Sequence, residues 1–345
     1  MRRCPRGLVV ALVGLVSVVG VAPPVAAAAR RQSVPQRSFN IAVIPDTQLE
    51  TVSAGDPRLR NRNRWLVNRR AALDLRFVAQ SGDLTNWGWL APEQLTRASR
   101  AFALLEEAGL PYSIAVGNHD TRGVGWDHNG GYGGAPYVLN PECVERFSPE
   151  VCQMSVLVRH TEEINAVFDA DRFGNVRGAF EPGKIDNLYS TFQAEGYTWL
   201  VLDLELWPRP EVVDWANDVV RDHPDANVMV NMHSYLTGRG ALDKSAYDGI
   251  TTPRQLWRQF ISRHENISLV TCGHVGKARV RVDRGVEGNK VVTLLTAMHS
   301  ADSNPLRLVQ VDPRAGVIRT RVLAPFTDQR FPRFTAKVEG LRFVR

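Results

Sequence analysis

The chain has 345 residues, of which 44% are hydrophobic, 23% charged and 8% aromatic, and its formal net charge is +6. That length accommodates one large domain or two modest ones, with apolar content enough for a real core. No dense Lys/Arg stripe is interleaved with aromatics, so nucleic-acid binding is not indicated, and the basic balance points only weakly to an anionic substrate.

The first residues read as a targeting segment. Arg2, Arg3 and Arg6 precede an apolar run from Leu8 to Val21 and the small-residue stretch Ala26–Ala29. A basic region, an apolar region and a small-residue cleavage region predict a signal peptide over 1–29 and a secreted or cell-envelope protein. The run is short for a membrane span, so no stable span is expected after cleavage. Cys4 precedes the apolar stretch, which is not a lipoprotein arrangement. Cys143 and Cys152 lie close together in a polar stretch and are expected to form a small disulfide loop in an oxidising compartment. Cys272, on an apolar run, reads as a lone buried thiol.

From residue 38 the chain alternates strand and helix patterns. Phe39–Ile44 reads as a strand ending in Pro45-Asp46-Thr47-Gln48, and 50–60 as loop. Trp65, Leu66, Ala72 and Leu73 mark a helix, after which Arg76–Ala79 returns to strand and ends in Gly82-Asp83-Leu84-Thr85-Asn86. Residues 92–108 form an amphipathic helix with Leu95, Ala98, Phe102 and Leu105 on one face and Gly109 as its stop. Tyr112–Val116 is an apolar strand that runs into Gly117-Asn118-His119-Asp120. Residues 121–190, with their frequent Gly and Asn, the two close cysteines and a helix at about 161–169, read as a lid-like insertion.

Order resumes with strands at Tyr189–Phe192 and Tyr197–Leu204 and a helix at Glu211–Val220. A strand at Asn227–Val230 ends in Asn231-Met232-His233. Thr252-Pro253 opens a helix, with proline in the first turn. Ile267–Cys272 is a strand ending in Gly273-His274-Val275-Gly276. Residues 278–296 and 306–323 are mostly strand, with a hairpin turn at Asp312–Gly316. The predicted organisation is one α/β domain over 38–325, followed by a C-terminal extension, 326–345, without an assigned structure.

Several strands share one format, an apolar run followed by Asp, Asn or His. Carboxylates and imidazoles gathered at successive strand ends would repel and desolvate one another at a cost, and divalent cations solve that problem. On Asp46-Thr47-Gln48, Gly82-Asp83 with Asn86, Gly117-Asn118-His119-Asp120, His233 and Gly273-His274, in this order and spacing, the chain resembles the calcineurin-like metallophosphoesterases, in a secreted variant carrying Asp-x-Gln. The resemblance covers roughly residues 38–325. It implies a two-sheet sandwich flanked by helices, with two divalent metal ions (Mn, Fe, Zn or Co) at the strand ends.

Carried over residue by residue, the resemblance makes Asp83 the bridging carboxylate. Asp46 and Gln48 then serve the first metal, and Asn118, His233 and His274 the second. His119 resembles the residue that protonates the leaving group, with Asp120 orienting it. The implied activity is hydrolysis of phosphomonoesters or phosphodiesters by a metal-bridging hydroxide, on a small phosphorylated substrate or a phospholipid headgroup. Asn86 and Asn187 are weaker candidates for substrate contact, and Arg122 and Arg239 for phosphate contact. Trp87, Trp89, Trp126 and Tyr132 stand beside the motif ends as candidate pocket or lid aromatics.

Two departures stand out. The family usually carries His where this chain has Gln48, and it often reads Gly-His-x-His where this chain has Gly273-His274-Val275-Gly276. Gly276 supplies no ligand. His299 follows a strand and is a candidate replacement, beside the simpler reading of an ordinary loop histidine. Two alternatives therefore stay open: a binding protein with an incomplete metal site, and a metal-dependent hydrolase of a non-phosphate ester or amide.

Overall fold

Strand β1 (Phe39–Ile44) shows how the layers are built. Phe39, Ile41 and Val43 belong to one buried apolar cluster, and Ala42 and Ile44 to another. This is the two-residue period of a strand covered on both faces. The structure is a computed structural model, which describes residues 38–125, 143, 152–245 and 250–345.

In the first sheet β1 runs parallel to β2 (Leu75–Gln80), and β2 parallel to β3 (Tyr112–Ile114). On its other side β1 pairs antiparallel with β11 (Leu306–Asp312), followed by β12 (Val317–Ala324). The second sheet has the order β4 (Val176–Ala179), β5 (Leu188–Ala194), β6 (Tyr197–Leu204), β7 (Ala226–Met232), β8 (Ile267–Cys272), β10 (Lys290–Thr296), β9 (Ala278–Arg284). Its centre, β6-β7-β8-β10, is parallel throughout.

Helices α2 (Arg58–Leu73), α3 (Pro92–Glu107) and α5 (Glu162–Val167) cover the first sheet through Leu59, Leu66, Leu95, Phe102 and Ile164. Helices α6 (Pro210–Arg221) and α7 (Pro253–Gln259) cover the second through Val212, Ala216, Val220 and Leu256. Thr252 and Gln255 cap α7 reciprocally, the Thr252 Oγ1 accepting from Gln255 N at 3.1 Å and the Gln255 Oε1 from Thr252 N at 2.8 Å. Pro253 in the first turn lacks an N–H that would find no intrahelical partner there. Between the sheets lie Phe39, Phe77, Val309 and Val311 from one and Phe192, Trp199, Met229 and Leu269 from the other. Phe77 stacks on Phe192 with ring centroids 5.2 Å apart. Burying a side chain of this size contributes about 1.5–3 kcal/mol. The architecture is the expected α/β sandwich of two sheets flanked by helices.

Local differences have physical causes. A single helical turn, α1 (Gln48–Thr51), stands where a loop was expected to begin, and α2 starts at Arg58, within the predicted loop. Strand β3 ends at Ile114 rather than Val116. The second sheet begins at Val176, inside the stretch read as insertion, because Phe168, Phe173, Ile185 and Leu188 are buried in the core beside α3. Within that stretch α4 (Met154–Leu157) packs through Leu157 against the Cys143–Cys152 disulfide. Trp126, Tyr132 and most of 126–151 lie outside the described residues, as does the leader-like segment 1–29.

The C-terminal stretch is part of the first sheet. β13 (Gln329–Arg330) and β14 (Ala336–Glu339) both pair with β12. Asn227 fastens the end of the chain, donating to Val344 O at 2.8 Å and accepting from Val344 N at 2.9 Å. Cys272 is a free, buried thiol. Among the described residues no helix is long and apolar enough to cross a membrane.

Candidate metal centre

Six parallel strands end at one place. Asp46, Asp83 and Asn118 follow β1, β2 and β3 of the first sheet, and His233, His274 and His299 follow β7, β8 and β10 of the second. Carboxyl ends of parallel strands are where such sheets present polar side chains. The turns there are tight. Asp83 and His274 have φ of 53° and 74°, and a Cβ on Gly117 would collide with Asp83. Glycine is thus the residue that lets the third strand end press against the second.

One donor group is deeply buried. The His233 ring is fully buried, and its Nδ1 donates to the Ser81 carbonyl at 2.9 Å. That bond fixes the tautomer, so the Nε2 lone pair faces inward. Within reach of Nε2 are Asp83 Oδ1 at 3.1 Å, Asn118 Oδ1 at 3.2 Å and His274 Nδ1 at 3.2 Å. In this tautomer four electron-pair donors face one point, and only a cation or a proton placed between them makes the arrangement favourable. Burial opposes charge on His233, yet the Asp83 carboxylate, with Asp46 behind it, carries its pKa up to about 9. Burial and the neighbouring His233 push His274 down to about 4. Burial opposes ionisation of Asp83 too, but His233 and His119 beside it hold its carboxyl well below the usual range.

The second donor group shares Asp83. Its Oδ2 accepts from Gln48 Nε2 at 3.3 Å, and that nitrogen is also 3.3 Å from His299 Nε2. His299 Nε2 reaches Asp46 Oδ2 at 2.7 Å, and Asp46 accepts from His274 N at 3.0 Å. Gln48 Oε1 is buried with no hydrogen-bond partner among the described residues, and rotating the amide by half a turn presents that oxygen to the same point. The ligand atoms of Asp83, His233 and His274 lie within 4.8 Å of one another, as do those of Asp46, Asp83 and His299. These oxygen and imidazole sets suit Mn, Fe, Zn or Co.

His299, not a second histidine after Gly273, therefore faces Asp46. Gly276 has φ of 75°, and a Cβ there would sit 2.8 Å from the Gly238 Cα. A histidine at 276 would need the Gly238 backbone to shift and a left-handed backbone that side chains rarely adopt.

The expected proton-transfer pair needs correction. His119 lies on a short 3-10 turn, its N–H donating to Asp83 Oδ1 at 3.0 Å. Its Nδ1 donates to the Asn86 carbonyl at 2.8 Å, so Asn86 and not Asp120 orients the ring. Asp120 points the other way. It accepts from Leu84 N and Gly117 N at 3.0 Å, Thr85 N at 2.9 Å and Thr85 Oγ1 at 3.2 Å. It thus ties the second strand end to the third. Burial and the Asp83 charge raise its pKa to about 6, against the pull of those backbone bonds. Asn86 contributes its backbone carbonyl, and its side chain is buried.

Other expected contacts also lie elsewhere. Asn187 is buried against Glu205, donating to Oε2 at 3.0 Å and accepting from Glu205 N at 2.9 Å. It braces a loop rather than facing substrate. Arg122 pairs with Glu163 at 2.8 Å. Trp87 is buried, and Trp89 donates to Val124 O at 2.8 Å. Arg239 is exposed.

No family model matches the chain. An uncharacterized protein of Bacillus subtilis strain 168, YvnB, is 19% identical over 278 residues, covering 77% of this chain and 18% of its own length. The chain thus spans less than a fifth of that relative. Among solved structures, a dimetal phosphatase from Danio rerio is 12% identical with a TM-score of 0.49, covering 87% of this chain and 98% of its own. A conserved uncharacterized protein of Streptococcus pneumoniae, described as a predicted phosphoesterase, is 8% identical with a TM-score of 0.36, covering 88% and 98%. Likeness at this level carries no functional argument.

Proposed function

We propose that the protein is a metal-dependent phosphoesterase acting on phosphomonoesters or phosphodiesters. One observation carries the reading: a single buried carboxylate, Asp83, belongs to two donor groups, one with Asp46, Gln48 and His299 and one with Asn118, His233 and His274. Two cations held there would neutralise phosphoryl oxygens and lower the pKa of water. The chain's own residues do the rest. Ser81 and Asn86 carbonyls fix the His233 and His119 rings. With Nδ1 committed, His119 offers its Nε2 edge, from which the imidazolium delivers a proton to the departing oxygen. Asp120 keeps the Asp83 and His119 turns together.

A small phosphorylated molecule or a phospholipid headgroup is the substrate class this chemistry suits. The leader-like segment and the disulfide support a secreted or cell-envelope location. The test is turnover of aryl phosphate mono- and diesters by chelator-stripped protein reloaded with Mn²⁺, Fe²⁺, Zn²⁺ or Co²⁺. Metal-dependent phosphate release supports the reading. Cation binding without turnover would make the chain a binding protein, and turnover of carboxylic esters alone would make it a hydrolase of another class.

A further inference from the structure

We propose that Arg58, braced by Asp56, is a positioning residue for the cation set of Asp46, Gln48, Asp83 and His299, and this rests on the metal-dependent reading above. Arg58 opens α2 and is 5% exposed. Its Nη1 donates to Ser300 O at 2.6 Å and Ser303 O at 3.3 Å, and its Nη2 to Leu49 O at 2.8 Å. Leu49 follows Gln48 and Ser300 follows His299, so one planar guanidinium spans the backbones that carry both ligands. Asp56 holds the guanidinium from the far side, with Nε at 2.9 Å and Nη2 at 2.6 Å. The tie repeats one turn along α2, where fully buried Arg62 pairs with Glu50 of α1 and donates to Asn304 O at 3.2 Å. Asn304 in turn donates to Arg58 O at 2.9 Å.

This chain needs such a tie at this place. His233 comes straight off β7 and has a carbonyl anchoring its ring. His299 lies three residues past the end of β10, after Met298 with φ of 54°, and its side chain is 41% exposed. Its hydrogen bonds among the described residues run through Nε2, toward Asp46 and Gln48. Among the described residues no carbonyl anchors the ring, and the backbone just after it is held instead by the arginine fork. Lysine, a point charge on a flexible stem, cannot serve three carbonyls and a carboxylate in one plane.

The experiment measures Mn²⁺ binding by equilibrium dialysis with elemental analysis, together with the electron paramagnetic resonance spectrum, which separates exchange-coupled pairs from isolated ions. Wild type is expected to hold about two ions in a coupled pair. Arg58→Lys should weaken one of them by about 10- to 100-fold, the usual scale for an outer-shell partner, and show an isolated-ion spectrum with the other retained. Asp56→Asn, a milder change that leaves the buried carbonyl contacts, should shift the same ion in the same direction if Arg58→Lys folds poorly. Two tightly held, coupled ions in both variants would overturn the positioning role alone. Loss of both ions from a folded variant would also overturn it, since the role is specific to one half. A wild-type chain that takes up no Mn²⁺ overturns the metal reading, and this inference with it.

Discussion

The two halves of the centre differ in how they are built. Asn118, His233 and His274 stand at most two residues beyond a strand or on a tight turn, and His233 is fully buried with its ring anchored. Asp46 shares that character, but its partners do not. Gln48 sits on a single helical turn, and His299 on a half-exposed loop held by arginines from α2. In the first, each donor follows its strand end directly or sits on a tight turn, and the four segments that carry Asp83, Asn118, His233 and His274 meet there. The second is assembled from segments more than 200 residues apart in sequence, and depends on tertiary contacts to bring them together.

The sharpest way to break this comparison is Asp83→Asn, which removes the carboxylate both halves share. It is expected to abolish binding of both cations and to lower kcat on an aryl phosphate by on the order of 10³, the upper range for losing one centred electrostatic contact. Dialysis and initial rates check it, and loss of one ion only would show that Asp83 serves a single half. His119→Ala should leave both ions bound while kcat falls by about 10²-fold or more, the scale of a lost general acid. Loss of metal in that variant would make His119 a structural residue.

Beneath the rigid half, a polar network joins the sheets. Asp203 accepts from Asn231 Nδ2 at 2.7 Å and Ser113 Oγ at 2.9 Å, and Asn231 also donates to Gln80 O at 2.9 Å. Burial pushes the Asp203 pKa up from 3.8 to about 7, against those bonds, which favour its charge. Between these values the folded chain holds a proton that the unfolded chain has released. Stability from this group therefore falls as pH rises through that window and levels off above it. The loss is at most about 4 kcal/mol, at about 1.4 kcal/mol per pH unit. Asp203→Asn should remove this slope in urea melts at pH 5 and pH 8, and an unchanged slope would contradict the assignment. The smallest expected effect is that of Gly276→Ala. Its left-handed backbone and the nearby Gly238 predict a cost of about 1–3 kcal/mol in the same melts, with two ions still bound.

Much of the layered fold was legible because the apolar run Phe39–Ile44 and the faces of α3 and α6 report burial directly. The candidate donor positions at the ends of β1, β2, β3, β7 and β8 were legible for the same reason, since an apolar run that stops at Asp, Asn or His marks itself. His299 gave the same signal, but a lone histidine after a strand cannot announce that it will face Asp46. Nor does the sequence reveal that Gly238 stands against Gly276 and crowds a side chain there, a contact across two loops. The orienting role assigned to Asp120 belongs to the Asn86 backbone carbonyl, an atom every residue possesses and no sequence pattern distinguishes. Asn187 looked like a substrate contact because nothing near it in sequence reveals Glu205 as its partner. The C-terminal strands lacked a clear period because β13 has two residues, both exposed, and β14 only four, which alternate between half-buried and exposed.

The most direct measurement is anomalous X-ray diffraction from crystals grown with Mn²⁺. The account predicts two peaks on either side of Asp83, one against Asp46, Gln48 and His299 and the other against Asn118, His233 and His274. A single peak, or two peaks with His299 turned away from both, would contradict it.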